Sequence, residues 1–107
     1  MSTDRTPVIG RVTRYVGHEH EPLHNLTVRV VAVLRGALEH SDYDRVTTDA
    51  ELARLGGLTR RDRVEVHPWI EQASRYSFVS YDPRAEDLEA FAYLRDAGRG
   101  PEPGGRG

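Results

Sequence analysis

Histidines are concentrated in one short segment of this sequence. His18, His20 and His24 lie within seven residues, together with two glutamates. In an extended segment, side chains at positions i and i+2 project to the same side, so His18 and His20 can offer two nitrogens to one metal ion. His24 could add a third ligand after the turn at Pro22, which would be a zinc or nickel site with an open coordination position. The alternative is a solvent-exposed hairpin loop without a metal.

Arginines are concentrated in a second segment. Arg60, Arg61 and Arg63 follow Ala53 and Gly57, whose separation is typical of a helix-turn-helix. In that motif the small residue packs between two helices, the glycine makes the turn, and arginines of the second helix face DNA. This interpretation predicts nucleic-acid binding through the three arginines.

A β-strand is the alternative for the same segment, and we favour it. Residues 64–67 alternate between apolar and polar side chains, and Pro68 would cut a recognition helix short. The three arginines would then lie in a solvent-exposed turn. Nucleic-acid binding by this route is therefore the second choice.

Aromatic residues form a third group. Trp69, Tyr76 and Tyr81 lie on two strands that we predict to be neighbours, and Arg75 lies beside them. Small β-domains use aromatic rings next to arginine to hold peptides or to stack single-stranded bases. The alternative is that these rings belong to the core, with Tyr76 and Phe78 beneath the last helix and Trp69 partly covered.

The composition excludes several classes of function. The chain has 107 residues and no Cys, all 15 of its basic residues are Arg, and its net charge is −2. The lack of Cys excludes disulfides, thiol catalysis and Cys-ligated zinc, and the slightly acidic balance excludes a broadly basic nucleic-acid surface. The use of Arg alone indicates a GC-rich genome. No apolar run approaches the roughly 18 residues of a membrane span, so we expect a cytoplasmic domain without a membrane partner.

Alternating hydrophobicity predicts four strands, at 8–16, 26–35, 63–70 and 75–81. In the second strand, Leu26 and every second residue to Leu34 share one face. Val31 and Val33 make the other face apolar too, so we expect this strand to be central and buried on both sides at its far end. Pro68 has no N–H to donate, which places the third strand at an edge or ends it there.

Capping signals predict two helices. Thr48 and Glu51 form a capping box, and the helix that they open is expected to stop at Gly56. Asp82 followed by proline opens the second helix, which we expect to continue to Gly98. Residues 39–44 are predicted to be a polar loop.

These elements predict one α+β domain at 8–97, with unfolded ends at 1–7 and 98–107. The expected fold is a small curled antiparallel sheet or partly open barrel, resembling the SH3 and OB architectures, with a short inserted helix and a C-terminal helix. No catalytic motif is evident, so we expect a non-catalytic binding or adaptor module. Its partner would be a protein or peptide that adds to the edge strand near Trp69, and self-pairing along that edge into a homodimer is an alternative use.

Overall fold

The computed structural model describes residues 8–17 and 23–98, which form a five-stranded antiparallel sheet and two short α-helices. This confirms the predicted α+β fold. The sheet of the described residues is open and does not close into a barrel. The strands are β1 (Val12–Arg14), β2 (Thr27–Arg35), β3 (Asp44–Val46), β4 (Arg63–Ile70) and β5 (Arg75–Tyr76). The helices are α1 (Asp49–Arg54) and α2 (Phe91–Gly98), and short 3-10 helices span Glu71–Ala73 and Ala85–Asp87.

The central strand is β2, as its apolar sequence predicts. It pairs with β1 at its beginning and with β3 at its end, and β4 runs along its other side. The prediction of a polar loop at 39–44 is wrong at its end, because Asp44 begins β3, whose polar residues are held by pairing with β2. The predicted strand at 8–16 is reduced to β1, because a turn closed by Arg11 N donating to Val8 O (3.2 Å) precedes it.

A β-bulge in β2 at Val31 decides which side chains face the core. Before the bulge Val28 and Val30 point inward, and after it Val33 does so, opposite Val64 of β4. Leu34 therefore turns to the other face, where it is also buried. The expected burial of both faces at the far end of β2 is thus confirmed, but the bulge changes which residues share a face.

The hydrophobic core lies between the inner face of the sheet and the helices. Its buried side chains come from every layer: Val8, Tyr15, Leu23, Val28, Val30, Val33, Val46, Leu52, Leu58, Val64, Val66, Ala85, Leu88, Phe91 and Leu94. Leu52 belongs to α1, which begins as predicted with the Thr48 hydroxyl accepting from Glu51 N (3.2 Å). The Glu51 carboxylate does not complete the capping box, since it pairs with Arg54 instead.

Residues 81–89, which we call the strap, cover the edge of β4 that faces away from β2. Val64 N donates to Pro83 O (3.0 Å), and Val66 N donates to Tyr81 O (2.8 Å). The β4 backbone is therefore bonded on both sides, to β2 and to the strap.

The prediction that β4 is an edge strand is consequently wrong. The Pro68 carbonyl accepts from Ser77 N (2.7 Å), and β5 pairs with Trp69 and Ile70. Because the N–H and C=O of one strand residue point to the same side, the missing N–H of Pro68 would also face β5. The pairing between β2 and β4 thus loses no hydrogen bond at this proline, and a central position is tolerated.

The second helix begins later in the chain than Asp82, where the sequence predicts its start, because the strap precedes it. Ala85 N donates to Asp62 O (3.0 Å), and Glu89 N donates to Arg14 O of β1 (2.9 Å). The sheet thus holds the strap in an extended and 3-10 path, and α2 begins only at Phe91.

Asp62 is the one buried charged side chain among the described residues, with 1% of its surface exposed. Its Oδ1 accepts from Gly36 N (2.8 Å), and its Oδ2 accepts from Thr59 N (2.9 Å). Together with the bond from Ala85, these contacts tie the end of β2, the turn before β4 and the strap to one residue. Two backbone amides compensate for the cost of burying the carboxylate.

None of the described helices is long and apolar enough to span a membrane. The expected unfolded ends, 1–7 and 98–107, lie outside the described residues, apart from Gly98, which ends α2.

Replacement of Asp62 should destabilise the protein strongly. Asp62→Ala leaves two backbone amides without acceptors, and each buried unsatisfied donor costs about 1–3 kcal/mol. For a domain of this size the melting temperature should fall by roughly 10–20 °C. Asp62→Asn keeps one acceptor oxygen, so its melting temperature should lie between those of the parent and of Asp62→Ala. The exposed Asp42→Ala is the control and should melt like the parent in the same calorimetric scan; an Asp62→Ala variant that did so too would refute the role assigned to this carboxylate.

Candidate functional site

The face of the sheet opposite the core, which we call the outer face, carries the candidate site. In β4, Val64 and Val66 point into the core, so the alternating side chains of Glu65, His67 and Trp69 lie on the outer face. The site therefore depends on an ordinary strand period, which the sequence predicts correctly for β4.

An aromatic pair and an arginine form the centre of this face. Trp69 lies directly opposite Tyr76 of β5, and their rings meet edge to face with centroids 5.0 Å apart. The Arg29 guanidinium of β2 lies over the Tyr76 ring, 4.8 Å from its centroid. The indole Nε1 of Trp69 donates to Glu71 Oε1 (3.2 Å). Trp69 and Tyr76 are thus brought together as predicted, and both are only half-buried.

Arg29 was not predicted as a site residue, although the sequence contains the signal. It alternates with Val28 and Val30, which places it on the opposite face of β2. What the sequence does not contain is the register, which sets Arg29 between Val12 of β1 and His67 of β4.

The loop that follows β5 projects an apolar tip. Phe78 is 84% exposed and Val79 is 59% exposed. The loop is nevertheless tied down, because Ser77 N donates to Pro68 O (2.7 Å) and Val79 N donates to Ser77 Oγ (2.9 Å). The interpretation that Tyr76 and Phe78 pack beneath the last helix is therefore wrong. Tyr76 lies against Trp69 and Arg29, and the chain bends after β5, which interrupts the strand period and exposes Phe78.

The other two predicted aromatic-site residues lie apart from the pair. Tyr81 is opposite Val66 and packs against the core, so it does not share the outer face. Arg75 is exposed and stacks on Phe78, with its guanidinium 4.6 Å from the ring centroid. Arg75 lies opposite Ile70 and precedes Tyr76 in β5, so strand alternation points it away from the face that carries Trp69 and Tyr76. Neither Arg75 nor Tyr81 therefore belongs to the outer face.

A row of polar side chains borders the aromatic pair. Arg45 holds Glu65 through two hydrogen bonds (Nε–Oε1 2.8 Å, Nη2–Oε2 3.2 Å). Ser80 Oγ donates to Glu65 Oε2 (3.3 Å) and lies 2.9 Å from His67 Nε2. In a serine-hydrolase triad the imidazole stands between hydroxyl and carboxylate, whereas here the hydroxyl stands between the other two. The geometry of this row therefore differs from that of a serine-hydrolase triad.

The guanidinium of Arg45 lowers the pKa of the Glu65 carboxyl below its ordinary value, mainly through their hydrogen bond. Burial opposes this by raising the pKa, and the charge of Arg45 and the hydroxyl of Ser80 lower it further. Glu65 is therefore ionised at neutral pH and anchors this row.

The helix-turn-helix interpretation is wrong. Residues after Thr59 form a turn and then β4, so no recognition helix carries Arg60, Arg61 and Arg63. Arg61 pairs with Glu39 (Nε–Oε2 3.2 Å), and Arg63 donates to a strap carbonyl. The three side chains thus lie on a turn and at the start of a strand, and nucleic-acid binding through them remains a prediction from the sequence.

The histidine segment is only partly described. His18 and His20 lie outside the described residues. His24 is half-buried, and its Nδ1 has no hydrogen-bond partner within the part of the chain that the structure describes. Within residues 8–17 and 23–98, no three ligating side chains come close enough to hold a metal ion. The zinc or nickel site remains a prediction from the sequence.

A cavity of about 240 Å³ lies beneath the strap. Its charged lining residues are Arg63, Arg84, Asp82 and Asp87. The charges of these two arginines and two aspartates balance among the described lining residues.

Comparison of the chain with protein families, with characterised proteins and with solved structures found no match. The candidate site must therefore be interpreted from its own geometry.

Replacement of Glu65 should reduce stability at neutral pH and not in acid. Because folding lowers the Glu65 pKa from its ordinary 4.5, its contribution is present above that value and is lost as the pH falls through the lowered one. Arg45 is half-exposed, so Glu65→Gln should cost about 0.5–1 kcal/mol at pH 7, measured by urea unfolding.

The matched control is Glu39→Gln, which removes a more exposed partner of Arg61. At pH 7, Glu39→Gln should lower the free energy of unfolding by less than Glu65→Gln does. An equal cost of Glu65→Gln at pH 7 and at pH 3 would contradict the assigned ion pair.

Proposed function

We propose that this protein is a binding module that holds a protein or peptide partner on its outer face. The binding surface consists of Arg29, Trp69 and Tyr76 together with the loop tip of Phe78 and Val79. The observation that carries the proposal is the 84% exposure of Phe78 on a loop that backbone hydrogen bonds hold in place.

An exposed phenylalanine on an ordered loop needs an explanation in a chain with few aromatics. The sequence contains 2 Phe, 1 Trp and 5 Tyr, and three of these rings, Trp69, Tyr76 and Phe78, belong to β4, β5 and the loop that follows β5. Protein interfaces are enriched in aromatic residues and arginine, and their strongest contacts come from Trp, Tyr and Arg. The surface thus has the composition of an interface.

Apolar surface continues beyond the aromatic residues. Val12 lies directly opposite Arg29 on β1 and is 48% exposed, so the patch crosses β1, β2, β4 and β5. A patch that spans several strands of a small sheet suits a partner that lies across them.

The mode of binding differs from strand addition at β4. The strap and β5 already form hydrogen bonds with the edge of β4 that faces away from β2, so a partner strand finds no free backbone groups there. Side chains on the face, rather than main-chain hydrogen bonds at the edge, are therefore the basis of the proposed contact.

A photo-crosslinking residue at position 78, introduced into the full chain in its native cells, tests the proposal. We expect a crosslink to one partner protein from position 78 and none from Tyr43, an exposed aromatic that lies outside the surface. With the purified partner, Phe78→Ser should bind at least about tenfold more weakly, because burial of one phenylalanine contributes roughly 1.5–3 kcal/mol. Tyr43→Ser should bind like the parent.

Equal crosslinking from positions 43 and 78, or none from 78, would contradict the proposal. A crosslink from position 78 only to a second copy of this chain would replace it with a homodimer through the outer face.

A further inference from the structure

The cavity beneath the strap brings charges of both signs around one small space. Its volume of about 240 Å³ equals the share of roughly eight water molecules in the liquid, so a ligand that fills it must be small. Arg63, Arg84, Asp82 and Asp87 supply the charges, and Leu23 contributes an apolar wall. None of these residues belongs to the binding surface proposed above.

The two arginines of the cavity stand directly opposite each other. Arg63 of β4 and Arg84 of the strap are partners in one antiparallel bridge, and like charges at directly opposite positions repel. Within the described residues each guanidinium donates only through Nη1, from Arg63 to Asp82 O (2.7 Å) and from Arg84 to Glu86 Oε2 (2.9 Å). The remaining N–H groups of the two arginines are donors for one carboxylate, whose charge would relieve the repulsion.

Asp87 provides a negative charge one turn further along the strap. Its N–H donates to Arg84 O (3.0 Å), so the two residues are separated by a single 3-10 turn, about 6 Å along its axis. The Tyr15 hydroxyl donates to Asp87 Oδ2 (3.5 Å), and a Cβ on Gly17 would lie 2.7 Å from the same oxygen. This close packing holds the Asp87 carboxylate in place, where it can accept from an ammonium group.

We infer that the cavity binds a small zwitterion, a free α-amino acid. Its carboxylate binds to Arg63 and Arg84, its ammonium group binds to Asp87, and its side chain packs toward Leu23. This inference goes beyond the proposed function and does not depend on it.

Small ligands with charge of one sign fit the described lining less well. Inorganic phosphate or a dicarboxylate would be attracted by the two arginines and repelled by Asp82 and Asp87, and a diamine would meet the reverse arrangement. A zwitterion pairs with both signs at once. The matching of opposite charges at the two ends of a ligand is therefore what this lining favours.

Ligand-observed NMR on the purified full chain, with each of the common amino acids in turn, tests the inference. We expect binding in the millimolar range or tighter for at least one of them. The analogue of that amino acid without its amine, and the analogue without its carboxylate, should each bind at least about tenfold more weakly, because each loses hydrogen bonds to a charged group.

Two variants locate the ligand in the cavity. Arg84→Gln and Asp87→Asn should each weaken binding of the same amino acid by about tenfold or more. Asp87→Asn keeps an oxygen that can accept from Tyr15, so its melting temperature should stay close to that of the parent.

The matched control is Arg60→Gln, which removes the charge of an exposed arginine in the turn before β4, outside the cavity. It should bind the amino acid like the parent, and so should Phe78→Ser, which changes only the binding surface on the loop.

The other outcomes overturn the inference in distinguishable ways. No binding of any amino acid in the millimolar range would refute it. Equal binding of the analogue without an amine would replace the zwitterion with a simple anion, and unchanged binding to both cavity variants would place the ligand elsewhere. The crosslink from position 78 is unaffected by these results, so the proposed function stands or falls separately.

Discussion

The buried carboxylate of Asp62 is the constraint on which the rest of the fold depends. Its two oxygens accept amides from the end of β2 and from the turn after α1, and its carbonyl accepts from Ala85 in the strap. A buried charge is tolerated only where such donors surround it, so the three segments must meet at this residue for the domain to be stable. The same contacts set the position at which β4 begins.

The position of the strap decides how the protein can interact. The carbonyls of Tyr81 and Pro83 accept hydrogen bonds from β4, so this strand has no free edge there. The side chains of β4 on the outer face, such as Trp69, are then the groups that a partner can reach. β5 then sets Tyr76 against Trp69, and the bend after it exposes Phe78. Because the backbone groups of β4 already have hydrogen-bond partners, side chains on the outer face are what the sheet offers to a binding partner.

Sequence patterns predicted the elements that depend on residues close together in the chain. The bounds of β4, most of β2 and the capped start of α1 follow from strand alternation and from the Thr48 hydroxyl. β3 and the strap could not be predicted in this way, because polar or helix-like sequences there are held extended by pairing with strands distant in sequence. The face of Arg29 was predictable but its stacking on Tyr76 was not, since that depends on the register across two strands.

The sealed edge of β4 can be tested directly by amide hydrogen exchange. Val64 and Val66 donate to the strap, whereas Val30 donates to Arg11, the residue before β1. If the strap seals this edge, the amides of Val64 and Val66 should exchange as slowly as that of Val30. Fast exchange at Val64 and Val66 with a protected Val30 would show an open edge. Strand addition at β4 would then replace binding on the outer face.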